Sequence, residues 1–255
     1  MLRSRIIPCL LISKKGLVKT INFGDPKYIG DPINAVKIFN EKKVDELLLL
    51  DIDASRNNVK PDFKKLKIIA NESRMPLTYG GGISTVEDAR RIISLGFEKI
   101  SISHSALKNI NLIEQIANEI GSQSVVFCLD YKRNFITQKN TIFSLNGKSK
   151  HKINIFEIAK EAERLGAGEI IFNSIDRDGT LKGYDIDFAQ KIRNHISTQI
   201  SFMGGACSME NMEEILDKVG IVGLVAGSMF VFKGKFRAVL LSYERPKMIR
   251  NNIND

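Results

Sequence analysis

The amino-acid sequence predicts one closed (β/α)8 barrel that is built from two similar halves. Three observations lead to this fold class: an internal duplication, eight apolar segments of strand length that alternate with amphipathic helices, and 255 residues of which 43% are hydrophobic. A barrel of this kind typically takes about 250 residues. An open, doubly wound sheet is the alternative, but two repeats of four strand–helix units close more naturally into a barrel.

The duplication consists of four pairs of similar segments that follow the same order in each half, offset by about 120 residues. The pairs are 8–11 with 127–130, 45–53 with 168–176, 80–87 with 204–210, and 100–104 with 224–228. One short match arises easily by chance, but four matches in one order indicate a repeat. We therefore expect half-barrels at about 1–120 and 121–243, followed by a C-terminal tail over 244–255.

The segments of strand length are continuously apolar, which is typical of a parallel sheet whose outer face is covered by helices. They are found at 5–10, 46–51, 77–80, 99–103, 124–130, 169–174, 200–203 and 220–226. Between them a helical periodicity is clearest at 32–43, 86–95 and 155–165. Asp31 is placed to cap the first of these helices, with Pro32 in its first turn, and Gly96 and Gly166 follow the other two.

Two longer connections interrupt this alternation. The first, over 12–30, contains four lysines and predicts a long, mobile loop that could close over the barrel mouth as a lid. The second, over 131–152, contains two short apolar runs, 135–136 and 141–143, which are followed by Asn146 and Gly147. This pattern predicts an inserted β-hairpin that forms a flap over the same mouth.

Composition limits the classes of protein to which the chain can belong. The formal net charge is +9, but the lysines are spread without aromatic residues between them, so anionic substrates explain the charge better than nucleic acid. The sequence has no secretion signal and no apolar run of membrane-spanning length, which predicts a soluble, cytoplasmic protein without a membrane partner. Cys9, Cys128 and Cys207 lack a metal-binding spacing, so we expect neither a metal nor a cofactor.

Glycines and small polar residues follow the strands at the carboxyl end of the predicted barrel, where function gathers in this fold. Backbone N–H groups can approach a phosphate closely where no Cβ intervenes. One predicted phosphate site contains Gly81, Gly82, Ser103 and Ser105. A second site combines residues of several loops: Asp178, Gly179, Gly204, Gly205, Gly227 and Ser228. Two sites predict a substrate with a phosphate at each end; the alternative is that the glycines only form tight βα turns.

Asp130 ends an apolar strand and is the best single candidate for acid–base catalysis, because burial raises the pKa of a carboxyl group. The alternative is that it caps its own loop. In the other half of the repeat the equivalent residue is Leu11, which cannot transfer a proton. A mechanism that needs two facing carboxylates therefore fails here unless Asp51, Asp53 or Asp176 takes over that role.

Four charged residues stand at the starts of predicted strands one, two, four and six: Arg5, Glu46, Lys99 and Glu169. Two cations and two anions at the amino-terminal rim could close the barrel floor as a ring of ion pairs. Charges on this face usually serve stability. Glu46 and Glu169 are equivalent positions of the repeat, however, and this equivalence favours a shared role.

Taken together, the motifs resemble the cyclase subunit of imidazole glycerol phosphate synthase over about residues 1–243. The matching segments share the order and spacing of that family: 5–10, 18–19, 22–23, 30–32, 45–47, 80–83, 121–123, 166–169 and 176–180. The resemblance implies a barrel that binds a class I glutamine amidotransferase on its amino-terminal face as a heterodimer. Ammonia released by that partner crosses the barrel and reacts at the opposite face with a phosphoribosyl-type bisphosphate.

The resemblance also implies roles for individual residues. Asp130 is one of two catalytic acids, and the four charged residues at the strand starts form the ammonia gate. Contacts with substrate and phosphate are implied for a larger set: Lys19, Asp51, Gly81, Gly82, Ser103, His104, Ser174, Asp176, Asp178, Gly179, Gly204, Gly205, Gly227 and Ser228.

The chain departs from the family pattern on the catalytic face. Leu11 replaces the second catalytic aspartate, Ser103 replaces an asparagine and His104 a threonine. Met203 and Cys207 replace a serine and a glycine beside the second phosphate site. Since the gate is intact, we expect a paralogue that still passes ammonia but no longer cyclises its substrate.

Three functions are compatible with a chain whose gate is intact and whose catalytic face departs from the family pattern. The first is delivery of ammonia for the amidation of a nucleotide sugar in lipopolysaccharide (O-antigen) biosynthesis, with a third, sugar-amidating protein as a candidate partner. Segments 51–55 and 228–237 resemble paralogues with that role. The second is a working cyclase–lyase that makes imidazole glycerol phosphate and AICAR from PRFAR in histidine biosynthesis. The third is a non-catalytic scaffold that activates the glutaminase.

Overall fold

The computed structural model describes residues 3–134, 136–247 and 249. Its strands are β1 (Arg5–Ser13), β2 (Gly16–Lys19), β3 (Lys27–Gly30), β4 (Leu47–Asp51), β5 (Leu77–Gly80), β6 (Lys99–Ile102), β7 (Val125–Arg133), β8 (Asn140–Ser144), β9 (Ser149–His151), β10 (Glu169–Ser174), β11 (Gln199–Met203), β12 (Gly223–Ala226), β13 (Phe232–Lys233) and β14 (Ala238–Val239). Its helices are α1 (Pro32–Glu41), α2 (Phe63–Glu72), α3 (Val86–Ser94), α4 (His104–Lys108), α5 (Leu112–Ile120), α6 (Ile155–Arg164), α7 (Ile186–Arg193), α8 (Met209–Val219) and α9 (Ser228–Val231). Among these helices, none has the length and apolar character that crossing a membrane requires.

Eight of the strands form a closed parallel barrel, and this confirms the predicted (β/α)8 fold. Neighbours pair in the order β1, β4, β5, β6, β7, β10, β11, β12, and β12 returns to β1 with Gly223 opposite Arg5. The first four strands come from one half of the repeat and the last four from the other. β1 and β7 therefore face each other across the barrel.

Side chains alternate along the barrel strands and so build two separate cores. In β1, Ile6 and Leu10 belong to the larger core between the strands and the helices, whereas Ile7 and Cys9 face the barrel interior. The interior core contains residues from six strands: Ile7, Cys9, Leu48, Val126, Cys128, Ile171, Met203 and Val225. The two ends of the barrel are thus separated by an apolar layer.

The three clearest predicted helices are α1, α3 and α6, which begin where predicted and end one or two residues earlier. The carboxylate of Asp31 caps α1, accepting the N–H groups of Ile33 at 2.9 Å and Asn34 at 3.0 Å. Gly96 and Gly166 follow α3 and α6 with φ angles of +104° and +92°, a conformation that glycine adopts at little cost. Local capping chemistry therefore sets these boundaries.

The first insertion, over 12–30, is not the irregular loop that the sequence predicts. β1 continues past the barrel and pairs antiparallel with β2, with Leu11 opposite Val18. β2 in turn pairs antiparallel with β3. Lys19 at the end of β2 is buried, and its Nζ donates to the carbonyl oxygen of Cys9 at 2.7 Å. This segment therefore forms a folded wall of the barrel mouth.

The second insertion forms a three-stranded antiparallel flap. β7 continues beyond the barrel to Arg133 and pairs with β8, which pairs with β9. The prediction of a strand at 135–136 is wrong, because Ile136 lies in the turn after β7; Phe135 lies outside the described residues. Asn146 and Gly147 form the turn between β8 and β9, with φ angles of +57° and +77°.

The C-terminal segment packs against the amino-terminal end of the barrel. Asp45 accepts hydrogen bonds from the guanidinium of Arg245 at 2.9 Å and from the hydroxyl of Tyr243 at 3.1 Å. The same carboxylate accepts the N–H of Ile6 at the start of β1, at 3.2 Å. Of the predicted tail over 244–255, residues 248 and 250–255 lie outside the described part of the chain.

The start of α3, directly after the glycines of the mouth, provides a test of local stability. Thr85 Oγ1 accepts the N–H of Asp88 at 3.1 Å, and the Asp88 carboxylate accepts the N–H of Thr85 at 3.2 Å. We expect Thr85→Ala to lower the unfolding free energy by about 1 kcal/mol, and Thr85→Ser by much less because it keeps the hydroxyl. Urea denaturation measures both values, and equal stability of the two variants would contradict the capping role.

Candidate functional site

The carboxyl ends of the barrel strands surround an open cavity. Most of the residues that were expected to contact substrate line it: Leu11, Lys19, Asp51, Gly81, Gly82, Ser103, His104, Asp130, Asp178, Gly179, Gly204, Gly205, Gly227 and Ser228. The cavity lining also includes polar residues that the sequence analysis did not assign to it, among them Arg56 after β4 and Asn146 and Lys148 on the flap. The flap residues could not be assigned to the cavity before the pairing of β7 with β8 was known.

Ser174 and Asp176 are not among the residues that line this cavity, in contrast to the role that the resemblance implies. Ser174 is buried in β10 and contacts the hydroxyl of Tyr131. Asp176 is exposed, and its carboxylate accepts the N–H of Arg133 at 2.9 Å. Both side chains thus stabilise the junction between β10 and the base of the flap.

The first glycine set is required by the packing of the backbone itself. Gly81 has a φ of +127°, and a Cβ there would lie 2.5 Å from the carbonyl oxygen of Asp51. Gly82 has a φ of +71°, and its Cβ would lie 2.5 Å from the carbonyl oxygen of Val59. The N–H of Gly82 already donates to the hydroxyl of Ser55 at 3.1 Å. Close packing therefore explains these two glycines without a bound phosphate.

In the second glycine set, close packing also explains Gly179, Gly204 and Gly205, where a Cβ would lie 2.1–2.5 Å from a backbone oxygen, but Gly227 faces a buried cation instead. A Cβ at Gly227 would lie only 2.3 Å from Nζ of Lys19. The Lys19 residue is only 6% exposed. Asp178 accepts the hydroxyl of Thr20 at 3.4 Å; burial raises the pKa of Asp178, and Lys19 and Thr20 oppose that shift. A buried ammonium group beside glycine backbone is well suited to a phosphate. This set is therefore the stronger candidate for an anion site.

Asp130 and Leu11 lie at the ends of opposite strands and differ in chemical character. Burial raises the pKa of Asp130 to about 7, the hydrogen bond from Asn173 opposes the shift, and Asp178 adds to it. Leu11 instead packs against the apolar interior core. Among the described acids that line the mouth, Asp130 has a pKa of about 7 and can exchange a proton near neutral pH.

Asn173 is a site residue that the sequence analysis did not single out. It lies directly opposite Asp130 in the parallel pairing of β10 with β7, and its Nδ2 donates to the Asp130 carboxylate at 2.9 Å. Its Oδ1 is buried and has no hydrogen-bond partner among the described residues. A polar residue within an apolar strand was the signal that could have revealed it.

Within the described chain, the three acids that might substitute for a carboxylate at position 11 all have other partners. Asp51 accepts the N–H groups of Asp53 and Ala54, each at 3.0 Å. Asp53 accepts the hydroxyl of Ser13 at 2.7 Å. Asp176 is turned toward the flap base. These carboxylates hold loops in place, so the facing pair of acids is incomplete.

At the other end of the barrel, the four predicted gate residues form a closed ring of ion pairs: Arg5, Glu46, Lys99 and Glu169. Nζ of Lys99 lies 3.0 Å from a carboxylate oxygen of each glutamate. Arg5 pairs with Glu169 at 2.8 Å and also with Glu46. The hydroxyl of Thr78 donates to Glu46 at 2.6 Å. Each charge of the ring therefore contacts two groups of opposite sign.

The ring is buried and has no net charge. Glu169 is 2% exposed; burial by itself would raise the pKa of its carboxyl, but Arg5 and Lys99 outweigh that effect and lower it. Ser201 also donates its hydroxyl to Glu169. The interior core lies between this ring and the mouth. Because an ion would lose its hydration there, a small neutral molecule such as ammonia can cross this layer more easily than an ion can.

The cysteines and acids of the chain do not assemble into a metal centre in the ranges that the structure describes. All three cysteines are free. Cys9 and Cys128 face the barrel interior, where burial raises the pKa of both thiols. These two residues therefore act as packing groups rather than as nucleophiles.

Comparison with known proteins relates the whole barrel to one family. The profile of a family described as histidine biosynthesis protein matches residues 5–237. A provisionally named imidazole glycerol phosphate synthase subunit, hisF3 of Vibrio vulnificus, is 49% identical over 246 residues, which are 96% of this chain and 95% of the relative. Another provisionally named subunit, hisF2 of Pseudomonas aeruginosa, is 48% identical over 243 residues, 95% and 96% of the two chains. The subunit HisF of Lactococcus lactis subsp. cremoris is 38% identical over 230 residues, 90% and 89% of the two chains.

The raised pKa of Asp130 makes stability depend on pH. An aspartate carboxyl in an unfolded chain titrates near pH 4, whereas Asp130 in the folded protein titrates near pH 7. The folded state thus binds this proton more tightly than the unfolded state does. The contribution of Asp130 to the unfolding free energy therefore falls as the pH rises from about 4 to 7 and stays low above that range.

We expect Asp130→Asn, which has no charge to bury, to be more stable than the wild type by about 2–4 kcal/mol at pH 8 and by little at pH 4. Urea denaturation at the two pH values measures this difference. Asp217→Asn, on the exposed side of α8, is the matched control. If Asp130→Asn and the wild type were equally stable at pH 8, the buried acid would not have the raised pKa described above.

Proposed function

We propose that this chain, which belongs to the HisF-like family of cyclase subunits of imidazole glycerol phosphate synthase, conducts ammonia through its barrel but has lost efficient cyclisation. The observation that carries the proposal is the contrast between the two ends of the barrel. The ring of four buried charges at the floor is complete. At the mouth, Leu11 stands where a second acid would face Asp130.

The conduit part of the proposal assigns a partner to the barrel floor. Cyclase subunits of this family pair with a glutaminase subunit, and we assign the same class of partner to the amino-terminal face of this chain. Ammonia made at that face would enter where Lys99 bridges Glu46 and Glu169. Movement of one long, flexible side chain would open the ring while Arg5 still compensates both glutamates. Lys99 is therefore the proposed gate.

The loss of cyclisation follows from the chemistry of the mouth. One positioned acid or base contributes typically 10²–10⁴-fold to a rate. Asp51 and Asp53 hold neighbouring backbone and hydroxyl groups instead of facing Asp130. Lys19, Gly227 and Ser228 remain in the cavity, so we expect a phosphorylated ligand to bind even where the cyclisation step is slow.

The acceptor of the ammonia is proposed to be a nucleotide sugar that is amidated during lipopolysaccharide biosynthesis. The support is the resemblance of 51–55 and 228–237 to paralogues with that role, together with an anion site that suits the phosphates of a nucleotide sugar. A third, sugar-amidating protein is a candidate partner at the mouth. The whole assembly is proposed to act in the cytoplasm, where nucleotide sugars are made.

Histidine biosynthesis is the second candidate function. The specific observation in its favour is that Asp130 has a pKa of about 7, which suits a general acid or base, and that Lys19 lines the same cavity. The matched family profile is also described as a histidine biosynthesis protein. In this case the chain would convert PRFAR to imidazole glycerol phosphate and AICAR with one acid in place of two.

A labelling experiment separates the two candidates. The barrel and its cognate glutaminase are supplied with glutamine that carries ¹⁵N in its amide group, together with PRFAR or with a pool of nucleotide sugars. We expect the label in a nucleotide sugar, with a third protein added if needed, and little label in imidazole glycerol phosphate. Rapid labelling of imidazole glycerol phosphate would instead establish the histidine function. Release of all label as free ammonia would favour a scaffold that only activates the glutaminase.

Leu11 itself can be tested by substitution. With an ammonium salt and PRFAR, we expect the wild-type barrel to cyclise at least about a hundredfold more slowly than a family member with both aspartates. Leu11→Asp should recover part of the rate, and Leu11→Asn, of similar size but unable to transfer a proton, should recover none. Steady-state kinetics measure kcat for each variant. A wild-type rate equal to that of an ordinary cyclase subunit would contradict the proposal.

The partner at the floor can be tested by binding. We expect the barrel to form a 1:1 complex with its cognate glutaminase at micromolar concentration, detected by size-exclusion chromatography with light scattering. Lys99→Ala should keep the complex but release more ammonia to the solvent, because the gate no longer closes. Lys150→Ala, on the exposed flap at the opposite end, is the control. The absence of any complex would contradict the conduit.

A further inference from the structure

Two histidines on different parts of the fold share one buried hydroxyl group. Nδ1 of His104, at the start of α4, lies 3.0 Å from Oγ of Ser144. The same Oγ lies 2.8 Å from Nε2 of His151 on β9. Ser144 itself is 1% exposed. The chain has three histidines in total, so two of them are used in this contact.

The shared hydroxyl links the protonation of the two rings. A serine hydroxyl has one proton to donate and can accept hydrogen bonds from other donors. With both rings neutral, the buried hydroxyl proton is used within this group only when one imidazole donates to Ser144 and the other accepts from it. If His104 carries its proton on Nδ1, the chain of bonds runs from His104 to His151; if His151 carries its proton on Nε2, the chain runs the other way. In this arrangement a change of tautomer in one ring is accompanied by a change in the other.

The two ends of this chain lie in different environments. His104 lines the mouth cavity that also contains Asp130. His151 is partly exposed on the flap. Burial lowers the pKa of both rings, and for His104 the nearby Lys108 and His151 lower it further, so both are neutral near pH 7. The hydroxyl between them thus joins the cavity to the solvent side of the flap.

We propose that His104, Ser144 and His151 form a proton relay that serves the reaction of ammonia in the mouth. The proposal rests on the function proposed above, in which ammonia attacks an electrophilic carbon of a phosphorylated acceptor. His104 takes over the proton transfer that Leu11 cannot perform. Asp130 remains the second acid–base group of the cavity.

The relay moves one proton in each direction during a turnover. When the new C–N bond forms, Nε2 of His104 takes a proton from the attacking nitrogen. Nδ1 of His104 then passes its own proton to Ser144. Ser144 in turn passes its hydroxyl proton to Nε2 of His151. His151 then releases its Nδ1 proton to water. Both hydrogen bonds now point the other way. When the bond to the leaving group breaks, the reverse sequence takes a proton from water and delivers one to the departing atom, which keeps the bonding electron pair.

Nuclear magnetic resonance of the barrel with ¹⁵N-labelled imidazole rings tests the relay without a substrate. In the wild type we expect His104 and His151 to show linked tautomers and to titrate as a coupled pair. In Ser144→Ala each ring should lose its fixed tautomer and titrate independently. Ser149→Ala, on the same flap, is the matched control, and His195 is the internal reference. Tautomers and titration curves that do not change in Ser144→Ala would overturn the relay.

Kinetics separate a proton relay from a purely structural contact. In the ¹⁵N transfer assay, Ser144→Ala and His151→Gln should lower kcat roughly tenfold with an unchanged KM and should reduce the solvent deuterium isotope effect. A fall in KM alone, or no change in kcat, would contradict the relay. If the wild type transfers no label to any acceptor, the proposed function fails, and the resonance titration alone then decides whether the shared proton exists.

Discussion

The rest of the structure depends on four charges buried at the floor of the barrel, because the fold must bring each of them beside charges of opposite sign. An unpaired buried charge costs several kcal/mol, so Glu46 and Glu169 are stable there because Arg5 and Lys99 lie beside them. They come from four different strands, and their pairs form only when the sheet is closed in its observed order. The closure that satisfies these charges also brings the loops at the opposite end around one cavity.

The two ends of the barrel use buried charge in different ways. At the floor every cation has an anion beside it, and little remains to bind a ligand. At the mouth Lys19 is buried against a backbone carbonyl and the open space at Gly227, and it keeps a charge that a phosphate can use. Asp130 is also buried, but its contact with Asn173 is too weak to keep its pKa low. The charges of the floor therefore compensate one another, whereas the charged groups of the mouth remain able to bind a ligand or transfer a proton.

Much of the fold could be predicted because it depends on local pattern. The repeat and the apolar runs predict the barrel, and equivalent strand starts predict the ring. Residues whose role depends on long-range register were harder to find. Asn173 belongs to the site only because β10 places it opposite Asp130. Ser174 and Asp176 match the family sequence, yet Ser174 contacts Tyr131 and Asp176 binds the backbone of Arg133 instead of lining the mouth. The link through Ser144 depends on how the flap pairs, which spacing alone could not reveal.

The pairing of β12 with β1 also bears on the order in which the chain can fold during synthesis. β1 leaves the ribosome well before β12, and one of its edges stays unpaired until Gly223–Ala226 has emerged. An open strand edge can pair with another chain, and contacts between such distant residues form slowly. Tyr243 and Arg245 then stabilise the junction of β12 and β1 by binding Asp45, which lies beside β1. Residues that are synthesised late thus protect a strand that is synthesised early and whose edge is open to aggregation until then.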